Sequence, residues 1–180
     1  MTARRAVQGV AALAVAVLAG VLAWHLTHQP PSVAPEVARH QIVAAPNFTL
    51  DRLVGEGSLS LASLRGKAVV VNFWASDCAP CKQEMPRLVS FAHTWSGRDV
   101  VVVGIDVFEY RKGPAQAFTR RYRATYPMVV DPTGSTVGPW GVAGTPQTFF
   151  VDRRGRIVDH VLGPVTDETL VAGARRALRT

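Results

Sequence analysis

Hydrophobic positions along this chain fall into runs of three kinds. The first covers residues 6–24, which carry no charge and one strongly polar residue, Gln8. As a helix this stretch rises about 28 Å, close to the ~30 Å hydrocarbon core of a bilayer. The second kind is short and rich in β-branched and aromatic residues: Val69, Val70, Val71, Phe73 and Trp74 form one run and residues 100–106 another. Both fit strands buried on two faces of a sheet. A further apolar strand is expected after Pro146, since proline opens a strand without interrupting its ladder. The third kind recurs at helical spacing. Met85, Leu88, Val89 and Phe91 follow residue 79 in this way, residues 113–126 carry a mixed face of Ala117, Phe118, Arg121 and Tyr122, and residues 166–178 form a closing helix capped by Thr166 or Asp167.

Between these runs the signals are those of turns and short strands. Residues 45–51 and 55–67 read as two strands and a turn, residues 128–131 as a short strand, and residues 134–140 as turn-rich. The Arg-Arg-Gly-Arg turn at 153–156 leads into a hairpin partner at 157–162. Strand, helix and strand over residues 69–106 imply a right-handed parallel crossover. The fold class is therefore α/β, a mixed sheet flanked by helices.

At 180 residues the length allows one domain with appendages. Three prolines and no periodicity mark residues 27–44 as a tether. The expected organisation is an anchor at 1–26, the tether at 27–44 and a folded domain at 45–180. Arg4 and Arg5 favour a cytoplasmic start, and Trp24 suits the far interface. The apolar run exceeds that of a cleaved signal peptide, so the expected location is the cell membrane, with the domain on the extracytoplasmic side. The formal charge of +7 is spread over turns and helix ends without interleaved aromatic residues, which excludes a nucleic-acid platform.

The two cysteines, Cys78 and Cys81, sit where a strand hands over to a helix N-terminus. Unpaired N–H groups and the helix dipole favour a thiolate there. Cys78, the outer one, is the expected nucleophile, and Cys81 the thiol that resolves a mixed disulfide on it. Ser76 or Asp77 is expected to cap the helix, and Pro80 removes an amide that the first turn leaves unpaired anyway. A structural bridge over so short a loop removes little entropy from the unfolded chain. Zinc normally needs four ligands, and c-type haem attachment needs histidine where Lys82 stands. A redox pair is the expectation, with no metal and no cofactor beyond the pair.

The stretch VVVNFWASDCAPCKQEMP resembles the active-site region of the membrane-anchored thioredoxin-like reductases of bacteria, the TlpA, ResA and DsbE (CcmG) group, and the resemblance runs from about residue 45 to the C-terminus. It implies a thioredoxin-like fold with an N-terminal hairpin extension and a central strand–helix insertion. It also implies a cis Thr145–Pro146 bond beside the cysteines, where the exposed Thr145 backbone pairs with an extended substrate; Trp74 is a further candidate for substrate contact. Glu84, three residues after Cys81, matches the acid of the CxxCxxE pattern and is the candidate proton carrier. Asn72 stands where thioredoxin carries a buried acid, and Asp77 stands where tryptophan is usual, opposing a Cys78 thiolate. By resemblance the protein reduces cysteine-containing clients such as apocytochrome c in cytochrome c maturation and is recycled by a membrane thiol–disulfide donor. The alternatives are oxidation of secreted proteins and a non-catalytic metal-delivery module. A peroxidase is disfavoured because the motif is CxxC rather than a lone cysteine.

Overall fold

The computed structural model describes residues 2–27 and 32–180, which fall into two compact units, residues 1–31 and 32–180. The first unit holds one helix, α1 (Thr2–Thr27). Among the described residues no helix is long and apolar enough to cross a membrane. The stretch expected as an anchor at 1–26 is helical from Thr2 onward.

The second unit begins earlier than the expected domain boundary at 45. Residues 28–31 of the expected tether lie outside the described residues, but residues 32–44 are folded. A short helix, α2 (Ala34–Ala38), buries Val37, the Val33 N–H donates to the Pro139 carbonyl, and β1 (Val43–Ala44) pairs with a strand far along the chain. A stretch without periodicity read as a tether, yet its few apolar residues find a groove that only the rest of the fold provides.

An eight-stranded sheet follows the order β1-β8-β7-β4-β5-β6-β2-β3. The hairpin of β2 (Thr49–Arg52) and β3 (Ser58–Ser60) lies at one edge, followed by a 3-10 turn at Leu61–Leu64. In the middle, β4 (Ala68–Trp74) is buried at every position. It runs parallel to β5 (Val100–Val107) and antiparallel to β7 (Gln147–Val151), which suits a run of β-branched residues with no polar face. The crossover between β4 and β5 is α3 (Ala79–Trp95), which continues through Pro86. After β5 come α4 (Lys112–Tyr122) and β6 (Met128–Asp131). The helix stops short of the expected residue 126 because Arg123 adopts a left-handed conformation. The turn-rich stretch contains a single helical turn, α5 (Val137–Trp140). The chain closes with β8 (Arg156–Leu162) and α6 (Asp167–Arg179), capped by Thr166.

Alternate residues of β4 serve the two faces. Val70 and Trp74 pack with α3, α4 and α6. Val69, Val71 and Phe73 pack with Trp140 of α5, Val37 of α2 and the hairpin's Leu59. The first face carries the cysteines.

Candidate active site

The site is built where β4 ends and α3 begins. The N-cap of α3 is Cys78 itself, rather than the expected Ser76 or Asp77, and its Sγ accepts the backbone N–H of Cys81 at 3.1 Å. The outer sulfur therefore occupies the place where a helix offers unpaired donors and a partial positive charge. Asp77, the expected tuning residue, is exposed, and solvent screening weakens its action on that sulfur. Pro80 lies in the first turn, where its missing N–H leaves nothing unpaired. Cys78 and Cys81 form a disulfide. Cys81 is fully buried and Cys78 half-buried, so the reachable sulfur is that of Cys78.

One helical turn beyond Cys81, Glu84 is fully buried. Its Oε1 accepts from Nδ2 of Asn72 at 2.8 Å, and its Oε2 accepts from the backbone N–H of Val165, also at 2.8 Å. Burial pushes its proton affinity up to about 7, against the opposing effects of the Val165 N–H, the Asn72 amide and Arg87. A carboxyl held there exchanges its proton near neutral pH. Asn72 also donates to Oγ1 of Thr148 at 3.0 Å, tying the carboxyl to the middle of the sheet. Where thioredoxin itself carries a buried acid on the strand, this chain carries the amide of Asn72, and its acid stands on the helix at the position of the CxxCxxE pattern.

The third part of the site is the turn before β7. Thr145–Pro146 is cis. Pro146 is buried, Thr145 is partly exposed, and the Pro146 carbonyl accepts from the Gly163 N–H. Among the described residues, no backbone hydrogen bond engages Thr145. A groove of about 560 Å³ runs from Thr145 past Ser76 and Asp77 to Phe108, Glu109 and Tyr110. An extended segment lying in it finds both an unpaired backbone and exposed aromatic rings, since Phe108 and Tyr110 are 57% and 87% exposed.

Residues 43–160 match the AhpC/TSA family. The chain is 31% identical over 126 residues to the thiol-disulfide oxidoreductase ResA of Bacillus anthracis, covering 70% of this chain and 72% of that one. It is 36% identical over 128 residues to the thiol:disulfide interchange protein HelX of Rhodobacter capsulatus, covering 70% of each. The chain belongs to the AhpC/TSA family, in its ResA and DsbE group. A solved structure described as a thiol:disulfide interchange protein DsbE from Chlorobium tepidum superposes with a TM-score of 0.67 at 28% identity, covering 73% of this chain and 95% of that one. The fold is accordingly thioredoxin-like, and the protein is a thiol–disulfide oxidoreductase.

Two features of this oxidoreductase differ from the sequence expectation. Trp74 is not a substrate contact. It is fully buried and stacked on Phe118 with centroids 4.7 Å apart, because the last residue of β4 points into the core under α4. Conversely, the sequence left Asp106 and Glu109 unmarked. Asp106 ends an apolar run and reads as the polar exit of a strand, but its register opposite Trp74 leaves it 1% exposed, with neither carboxyl oxygen partnered among the described residues. Burial, with Glu109 and Asp77 adding to it, raises its proton affinity to about 8. Glu109 Oε1 accepts the backbone N–H of Ser76 at 2.6 Å, holding the loop before Cys78. No pattern in the sequence links those two positions. Among the described residues, no group of three His, Cys, Asp or Glu side chains is placed to hold a metal.

Proposed function

We propose that this oxidoreductase works outside the cytoplasm as a reductase of protein disulfides, with apocytochrome c, in cytochrome c maturation, as a representative client. The reading is carried by one observation: a half-buried Cys78 capping α3, paired with a fully buried Cys81 one turn above the protonatable Glu84. In the reduced protein the Cys78 thiolate attacks one sulfur of the client disulfide. The other client sulfur leaves as a thiolate and takes a proton. Glu84 receives the proton of Cys81, whose thiolate then attacks the Cys78 sulfur and expels the second client sulfur. Two electrons pass to the client, and the Cys78–Cys81 disulfide returns. A membrane dithiol donor restores the thiols, so the pair is itself the redox group and no further cofactor takes part. The client segment lies in the groove beside Thr145 and pairs with its backbone, a mode of recognition tolerant of sequence.

The uncharged run at 6–24, preceded by Arg4 and Arg5, supports export with retention at the membrane, on the side where cysteine pairs can cycle. Carbonate extraction distinguishes an anchored chain, which stays in the pellet, from a released one.

Trapping with Cys81→Ser in the native membrane tests the reading, because the stalled mixed disulfide on Cys78 retains the client. A reductase has a reduction potential near that of thioredoxin, about −270 mV, whereas an oxidase of secreted proteins lies nearer −120 mV. A potential at the oxidising end overturns the assigned direction, and failure of the purified protein to cycle between dithiol and disulfide overturns the function.

A further inference from the structure

Gln147 follows Pro146 but points to the opposite face of the sheet from the cysteines, where it is 2% exposed. Its Oε1 accepts the backbone N–H of Ala143 at 3.0 Å, and its Nε2 donates to the Gly141 carbonyl at 3.4 Å. The same Nε2 lies 2.8 Å from Nε2 of His160. These contacts determine one another. The Ala143 N–H can only donate, so the amide end facing it is the oxygen. The other end is then the NH2 donor, and Nε2 of His160 accepts from it. The imidazole is therefore neutral, with its proton on Nδ1. It stacks on Phe149 with centroids 4.8 Å apart.

Gly141 and Ala143 belong to the loop that ends at Thr145–Pro146. From the other side this loop is held by the N-terminal segment: Gly141 has φ +67 and lies so close to Ala34 that an added Cβ would stand 2.9 Å from its Cα. The substrate-pairing turn is thus braced from behind, away from the redox chemistry.

We infer that Gln147 and His160 are a positioning pair for that turn, with the neutral imidazole holding the Gln147 amide in the orientation that pins Ala143, and protonation of the imidazole releasing it. The inference rests on the proposed pairing of the client with the Thr145 backbone. A proton on Nε2 of His160 sets two donors face to face. The amide then turns to offer its oxygen to the imidazolium, which leaves the Ala143 N–H facing an NH2 group.

Three influences bear on His160. Burial favours the neutral ring, Asp159 on the same strand favours the charged one, and His40 after α2 again favours the neutral one, for a net lowering. Asp159 is shared with Arg176 at 3.5 Å, which reduces its pull. The turn is therefore held at neutral pH and loosens in acid.

The test uses the full-length protein and two probes: a peptide with an intramolecular Cys-Xaa-Xaa-Cys disulfide, and the small aromatic disulfide 5,5′-dithiobis(2-nitrobenzoate), which reacts with reduced Cys78 without pairing along a backbone. Between about pH 7.5 and about pH 5 the wild-type KM for the peptide rises roughly three- to tenfold. In Gln147→Leu the KM is raised at both values, and in His160→Gln, which does not titrate, it stays flat. The reaction with the small disulfide matches wild type at each pH. An unchanged KM in Gln147→Leu, or a pH dependence that persists in His160→Gln, overturns the inference. No reaction of wild type with the small disulfide overturns the redox assignment beneath it. Should Gln147→Leu not fold, amide exchange at Ala143 decides. Exchange that speeds up in acid beyond the intrinsic rate, in wild type but not in His160→Gln, supports the pair; equal exchange overturns it.

Discussion

The side-chain amide of Asn72 donates to Oε1 of Glu84 at 2.8 Å, joining the centre of β4 to the second turn of α3 beneath the redox disulfide. A carboxyl that is buried, hydrogen-bonded and poised near neutrality sits one turn from the resolving cysteine, and several measurable consequences follow from its placement and its surroundings.

Glu84→Gln removes the proposed proton carrier while keeping the shape. Disulfide exchange is expected to slow by about 10²-fold, within the usual range for general acid–base catalysis, and its pH profile to lose the inflection near 7; stopped-flow thiol exchange measures both. Stability follows from the same shift. Between the ordinary carboxyl value of 4.5 and about 7, the native protein holds a proton that the unfolded chain has released, so stability falls as pH rises through this window and is level above it. Relative to Glu84→Gln, wild type loses about 3 kcal/mol across it, which urea unfolding at a series of pH values reads directly.

Asn72→Asp restores an acid to the strand and sets two carboxyl groups in contact. Both cannot ionise there, so they titrate as a pair and the second proton is held to higher pH. The expected cost is about 2–4 kcal/mol at about pH 8 and much less at about pH 5, visible as a melting temperature that falls as the buffer becomes alkaline.

Asp106→Asn is expected to stabilise the protein in neutral and alkaline buffer. The carboxyl's ordinary value of 3.8 rises to about 8 in the fold, so wild-type stability declines with rising pH across that interval. The amide does not titrate, giving a gain of about 5 kcal/mol at about pH 8 and little at about pH 4. Calorimetry at the two pH values checks the difference.

Trp74→Phe separates packing from binding. Loss of indole volume from the core is expected to cost about 1–2 kcal/mol and to leave the KM for a peptide disulfide unchanged. Gly104→Ala attacks the same contact from the neighbouring strand, since a Cβ there would meet Met128 Sδ and lie 2.9 Å from Trp74 Nε1. Overpacking of this kind costs about 1–3 kcal/mol, and denaturant midpoints for both variants report it.

Much of this protein is a local matter of residue order. The β-branched run of β4, the cysteine pair at a strand-to-helix junction, the proline opening β7 and the spacing that places Glu84 one turn beyond Cys81 are all written within short windows. Periodicity and turn chemistry act over the same few residues, so the α/β class and the redox pair were legible from the residues, and the candidate proton carrier from the resemblance to the CxxCxxE pattern. The tertiary structure alone decided which way side chains at strand ends point and what meets them. It turned Trp74 into the core, buried Asp106 opposite it, folded residues 32–44 onto the domain and brought Gln147 to His160 behind the Thr145–Pro146 turn. Those outcomes depend on register and packing between segments far apart in sequence, and burial, which sets proton affinities, exists only once those segments have met.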